Sequence, residues 1–235
     1  MIVKTAILLP VRMRPTNLFR LYDSFVKNRE RQTTVVFAGV DVDNKADYPS
    51  LPPGMQCIEV PLEKDGEPFK TVPKINYMAR QAMLEHPEIE VIAFVGDDIV
   101  IKTPGFDVLF ENVLAPHKYG MAFPNDLHQG PLLPTHPFMT SSIVKKLGCF
   151  APECLWHTRV DAIWKNWGLH IQETGKGVYH YAADVIFDHY HPNARKGKQD
   201  LLYLRAYSRE WKKHDAEAFD TYIRQGLHND LIKLN

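Results

Sequence analysis

Two adjacent carboxylates, Asp97 and Asp98, follow Gly96 at the end of the apolar run VIAFV, and a second apolar run, IVI, follows them. Carboxylates are hard oxygen donors that suit magnesium or manganese, ions that commonly bridge protein acids and substrate phosphates. Gly and Asp also begin turns, so the pair alone reads equally as a turn or a ligand site. A further acidic pair, Asp41 and Asp43, follows the run TTVVFAGV. His189 and His191 stand two apart in DVIFDHYH; on a strand they share a face, and a neutral imidazole ligates manganese and similar ions. The run ARKGK carries Arg195, Lys196 and Lys198, which would neutralise a diphosphate or form a solvated basic loop.

These residues need elements to hold them. Continuous apolar runs predict buried strands at Thr5–Pro10, Thr33–Val40 and Val91 onward, with a shorter strand at Gln56–Val60. Pro15 opens a helix with a stripe of Leu18, Leu21, Tyr22, Phe25 and Val26, so strand, helix and strand form a βαβ unit with parallel strands. A helix from Pro73 carries Ile75, Met78, Ala79 and Ala82 on one face, and another follows Gly105 with Phe106, Leu109, Phe110 and Val113 inward. Later elements are less regular: a strand over Gly120–Pro124, a Pro- and His-rich loop, helices at Ser141–Leu147 and Val160–Trp167, and a strand at Asp184–His191. Residues 201–235 read as amphipathic helix. The fold class is α/β, a mostly parallel sheet flanked by helices with C-terminal helices, in which parallel strands deliver Asp41, Asp43, Asp97 and Asp98 to one sheet edge.

Composition narrows the function. With 235 residues and 45% hydrophobic content, the chain fills one large domain, and 28 basic against 28 acidic residues leave no global field for nucleic acid or membrane. No apolar run reaches the roughly 20 residues of a membrane span, the N-terminus lacks a small-residue cleavage site, and three cysteines make neither a disulfide framework nor a zinc site. The chain reads as soluble, reduced and cytoplasmic. No GxGxxG or GxxxxGK[ST] fingerprint is present, which argues against dehydrogenases and P-loop enzymes.

The order of features resembles a family 2 glycosyltransferase with the GT-A fold. ILLPVRMRP is similar to the first-strand signature of that family, which implies that Pro10 and Arg12 lie at the nucleotide. Asp41 and Asp43 match the acids that read base or ribose, and Lys74 with Asn76 resembles the pair opening the helix before the metal strand. Gly96-Asp97-Asp98 resembles the DXD motif, with Gly where the family has its first acid. The resemblance implies Asp98 as metal ligand, Asp97 as a ribose or water contact, and His189 or His191 completing the metal shell. HPFMTSSIVKKLGCFAPECLWHTRVDAIWKNWG is similar to the acceptor-side region and implies Asp161 as catalytic base; a solvated helical acid is the alternative. Trp156, Trp164, Trp167 and Tyr190 are candidate sugar platforms, though aromatics are more often core.

By this resemblance, residues 1–200 form one catalytic domain, with a nucleotide-sugar half (1–100) and an acceptor half (101–200), and 201–235 a helical extension. The implied activity is transfer from a nucleotide-sugar, a UDP-sugar favoured, to an acceptor hydroxyl with inversion, using manganese or magnesium. The acceptor stays open among saccharide, lipid, protein and modified DNA base, the last because the chain also resembles phage-encoded transferases. The alternatives are a sugar nucleotidyltransferase, disfavoured because RMRP lacks the glycines of its phosphate loop, and a non-catalytic nucleotide-sugar-binding module.

Overall fold

The computed structural model describes residues 2–67, 70–192, 196–197 and 199–235; Arg195 and Lys198 lie outside the described residues. Eight strands form one sheet in the order β3-β2-β1-β4-β7-β6-β8-β5. They are β1 (Thr5–Val11), β2 (Thr34–Asp41), β3 (Gln56–Val60), β4 (Val91–Phe94), β5 (Ile99–Ile101), β6 (Tyr119–Asn125), β7 (Phe138–Thr140) and β8 (Gly177–His189). β1 pairs in parallel with β2 and β4, β2 with β3, and β6 with β8, while β4–β7, β6–β7 and β5–β8 are antiparallel. The helices are α1 (Pro15–Asn28), α2 (Thr71–Glu85), α3 (Phe106–Leu114), α4 (Ser141–Leu147), α5 (Val160–Glu173), α6 (Leu201–Ala206), α7 (Arg209–Thr221) and α8 (Leu227–Lys233).

The period-two alternation of the first strand divides the core. Ile7, Leu9 and Val11 pack with Leu18, Leu21 and Phe25 of α1 and with Phe106 and Phe110 of α3 on one face. Ala6 and Leu8 pack on the other face with Ile75, Met78 and Ala82 of α2 and with Ile143, Trp164 and Trp167. β2 is buried along its whole length, as a strand covered on both sides must be. Leu234 is fully buried, and Phe219, Tyr222, Leu227 and Leu231 pack against the same core, so the C-terminal helices belong to it.

The apolar stretch from Val91 to Ile101 divides into two strands that are neighbours in sequence and far apart in the sheet order. From β4 across β7, β6 and β8 to β5 is four strand spacings, roughly 19 Å on a flat sheet. The link from Phe94 to Ile99 is interrupted by a turn, and Val95 N–H donates to the Leu8 carbonyl at 3.0 Å, so it cannot span that distance extended. The sheet therefore curls until β5 returns beside its starting point, and the two acids occupy the link.

Some local expectations are corrected. Leu109 is 45% exposed and Val26 48%, because α3 and α1 each bury a narrower stripe than the hydrophobic pattern suggests. β8 begins at Gly177, seven residues before the predicted start; its first half is only partly buried and lacks a clean alternating signal. α2 begins at Thr71, so Pro73 sits inside its first turn, where the missing N–H leaves no bond unmade.

Candidate functional site

At the carboxyl edge of β1, β2 and β4 a cavity of ≈ 410 Å³ opens, lined among the described residues by Pro10, Arg12, Asp41, Lys74, Asp97, Asp98, Asp161, His189 and His191. Nine of the sequence-predicted site residues thus come together. Asp43 stands behind this wall, gripping Arg12 through both oxygens at 2.8 and 2.7 Å. Lys196 does not line the cavity; its Nζ pairs with Asp188 Oδ1 at 2.6 Å. Of the candidate platforms, Trp164 lines the cavity from a buried position, Trp167 is core, Trp156 stacks on His214 at 3.6 Å, and Tyr190 lies under Arg20.

At the end formed by β1 and β2, Lys74 is buried and donates to the Val11 carbonyl at 3.0 Å and to Asp41 Oδ2 at 2.8 Å. Burial lowers its pKa against the pull of Asp41. Arg12 also donates to Asp41 Oδ2, at 3.1 Å, while the other oxygen, Oδ1, is buried without a hydrogen-bond partner. A buried carboxylate oxygen left open is costly unless something binds it.

Arg14, not singled out from sequence, joins three segments. It donates to Asp97 Oδ1 at 3.1 Å and, through Nε and Nη2, to both oxygens of Asp200 at 2.6 Å. Asp200 in turn caps α6 by accepting from Tyr203 N–H at 2.9 Å. α6 brings Leu202, Tyr203, Arg205 and Ala206 over the cavity as a roof.

The acids of the link differ in environment. Burial raises the pKa of Asp97, with Arg14 opposing and Asp98 adding to the rise. For Asp98, burial is outweighed by His189, which holds it well below the usual carboxylate range. His189 Nε2 lies 3.3 Å from Asp98 Oδ2 and its Nδ1 3.5 Å from Asp126 Oδ2. Burial opposes charge on His189, but Asp126 and Asp98 outweigh it and raise its pKa to about 9. Asp126 is itself fixed, its Oδ1 accepting from the N–H groups of His128, Gln129 and Gly130 and its Oδ2 from the Thr135 hydroxyl. His191 packs 5.0 Å from the His189 ring and 3.3 Å from the Tyr207 hydroxyl.

The donor chemistry of Asp98 and His189 fits a divalent cation. Ligand atoms bound about 2.1 Å from one ion at right angles lie about 3 Å apart, close to their observed spacing. Among the described residues no three His, Cys, Asp or Glu side chains are arranged to hold an ion.

Gly96 explains the departure from an acid at its position. A Cβ there would lie 2.8 Å from Asp98 Oδ1 and 3.6 Å from His136 Cε1. Gly96→Ala therefore displaces the Asp98 carboxylate. If a cation binds at Asp98, the variant's expected signature is a weakening of manganese affinity by about tenfold, with little change in the metal-free melting temperature; affinity equal to that of the unaltered protein would refute it.

Asp161 stands in the first turn of α5, its Oδ1 accepting from Ala162 N–H at 2.9 Å, and burial raises its pKa above the ordinary value. The loop before it is held from the C-terminal segment. Asp215 of α7, fully buried, accepts from the N–H groups of Trp156, His157 and Thr158 at 2.7, 3.0 and 2.6 Å and from the Thr158 hydroxyl at 2.9 Å.

No protein-family model matches the chain, and no curated protein matches its sequence. Solved structures do. A mannosyltransferase, PcManGT of Pyrobaculum calidifontis in complex with GDP-Man and Mn2+, is similar with a TM-score of 0.59 at 11% identity, over 96% of this chain and 76% of that one. S. aureus TarS in complex with UDP gives 0.53 at 14% identity over 79% of this chain, which spans only 57% of the TarS chain. A Drosophila beta-1,4-galactosyltransferase 7 in complex with manganese, UDP-Gal and xylobiose gives 0.50 at 15%, over 88% of this chain and 80% of that one. Likeness at such identities speaks to the fold, and on that point the three agree: the chain has the GT-A fold.

Proposed function

We propose that the chain is a glycosyltransferase that moves a sugar from a nucleoside diphosphate donor, a UDP-sugar favoured, to an acceptor hydroxyl with a divalent cation in attendance. The observation that carries the reading is the charge arrangement of the cavity. The cations that line it among the described residues are engaged: Arg12 with Asp41 and Asp43, Lys74 with Asp41, Arg14 with Asp97 and Asp200, Arg205 with Glu67, and Arg159 over the Phe219 ring. A diphosphate entering beside Asp97 and Asp98 meets acids whose partner cations are already taken, and an added cation on Asp98 and His189 would reconcile the charges.

In this reading Asp98 and His189 would hold manganese or magnesium. When bound, the cation supplies positive charge against which the diphosphate leaves. Asp41, with one oxygen open, receives an N–H or O–H of the base or ribose, while Arg12 and Lys74 orient the carboxylate. Asp161, across the cavity, takes the proton of the acceptor hydroxyl as it attacks the anomeric carbon from the face opposite the diphosphate, which inverts that centre. The roof of α6 and the Phe94–Trp164 wall exclude water from the reacting carbon.

A donor screen by thermal shift tests the reading. A nucleotide-sugar with manganese raises the melting temperature by mass action, and Asp98→Asn removes the manganese-dependent part of that rise. If no nucleotide-sugar stabilises the protein with either metal, the proposal fails; if one binds but is neither hydrolysed nor transferred, the chain is a binding module instead.

A further inference from the structure

The two halves of β8 differ on their outer side. Along Phe187–His189 that side is covered by β5. Thr103 covers the next stretch, its hydroxyl donating to the Asp184 carbonyl at 3.1 Å and accepting from Ile186 N–H at 2.8 Å. From Gly177 to Ala182 β8 pairs with β6 on its inner side, and among the described residues no strand lies on the outer one. An open strand edge is a template for another strand, and proteins guard such edges with proline, charge or a covering segment. The opposite edge of this sheet is guarded: β3 stands between Pro52-Pro53 and Pro61 and carries Glu59, paired with Lys45. The open edge, GVYHYAA from Gly177 to Ala183, has no proline and no Lys, Arg, Asp or Glu. Its strand conformation is fixed from within, because Tyr179 packs on the core of one face and Val178 and Ala182 on that of the other. The nearest charges, Lys176 and Asp184, stand at its two ends, and both are exposed.

Symmetry selects the occupant. A second copy of β8, added antiparallel about a two-fold axis normal to the sheet, must bring one residue opposite its own copy. Opposed residues share a face while chain neighbours alternate, so no axis can fall between two residues. With the exposed His180 on the axis, Lys176 of each copy lies opposite Asp184 of the other, Val178 opposite Ala182, and Tyr179 opposite Tyr181. An axis at Tyr179 would set Lys176 against Ala182 instead. One at Tyr181 would set it against Ile186, whose carbonyl Lys102 N–H already occupies. Only the His180 register matches the opposite charges, twice per dimer, and it also places aromatic rings side by side across the strands. A strand from a different protein needs no such symmetry in β8. We propose that the outer edge of β8 is the interface of a two-fold homodimer, in which residues 177–183 of two copies pair antiparallel about His180 and join both sheets into one.

Sedimentation equilibrium of the full chain over a range of concentrations tests both the interface and its register. The unaltered protein is expected to show a reversible equilibrium between one and two chains. His180→Lys sets two ammonium groups against each other on the axis and is expected to weaken the dimer about tenfold or more. Because His180 is exposed, the circular dichroism spectrum of that variant should match that of the unaltered protein. Charge reversal reads the register. Lys176→Asp puts two acids in opposition at each end and is expected to weaken the dimer about tenfold, and adding Asp184→Lys to it should restore most of the lost affinity. A chain that stays monomeric at its highest soluble concentration overturns the proposal, and leaves the edge to a strand of another protein or to none. A dimer as tight in His180→Lys as in the unaltered protein overturns it too, since the contact then lies elsewhere. A double variant no tighter than Lys176→Asp alone refutes the pairing about His180.

Discussion

On the proposed reading, Asp161→Asn is expected to lower turnover by about 10²–10⁴-fold, the usual contribution of a positioned general base, and to leave donor and manganese affinity intact. The separation of effects follows from position. Asp161 belongs to the first turn of α5, which the proposed reading places on the acceptor side, while that reading builds the diphosphate end from β1, β2 and the β4–β5 link. The acid works only when deprotonated, and burial raises its pKa, with Ala162 N–H opposing. The acidic limb of the kcat/KM profile is therefore displaced above the ordinary carboxylate value of about 3.9. A profile flat down to that value, or an Asn variant with near-normal turnover and the same limb, would remove Asp161 from the role of base.

The second large effect is structural. Asp215→Ala is expected to lower stability by about 3 kcal/mol, since it strands the N–H groups of Trp156, His157 and Thr158 together. Asp215 is the fully buried residue of α7, so a helix that looks solvated docks through a carboxylate as well as through Ala218 and Phe219, which pack against the core. Burial raises its pKa, but those N–H groups and the Thr158 hydroxyl outweigh it, so the folded value lies below the unfolded one. A depressed acid contributes stability that is fully present above the unfolded pKa of about 3.9 and lost as pH falls through the folded value. Denaturant unfolding at neutral pH should show the full gap between variant and unaltered protein, and the gap should close toward acid pH. A variant as stable as the unaltered protein at neutral pH contradicts the account. Turnover should fall too, because the same loop leads into Asp161.

How legible this was in the sequence varied with the physics of each part. β1, β2 and β4 are buried on both faces, so they announce themselves as apolar runs, and acids placed after them fall at the strand ends. β7 is three residues held between Pro137 and α4, too short for any periodic signal, yet it reverses the direction of the sheet. His136 and Asp126 were hidden around a segment that reads as a Pro- and His-rich loop; the signal that could have raised His136 is its place immediately before a Pro and the apolar pair Phe138 and Met139. Asp215 was hidden for another reason: an acid in an amphipathic helix looks solvated unless the distant N–H groups that face it are known. Asp200 was equally silent, since its partner, Arg14, is 186 residues away.

That separation also sets an order of events. A contact between residues so far apart closes a long loop before it returns any stabilisation, so it forms late in folding. The strands can pair while Arg14 and Asp97 still lack Asp200. α6 contributes Ala206 as its one buried side chain, against strands buried along their length. Amide hydrogen exchange is therefore expected to be faster in α6 than in β1 and β2, so that the α6 side of the cavity opens before its strand side.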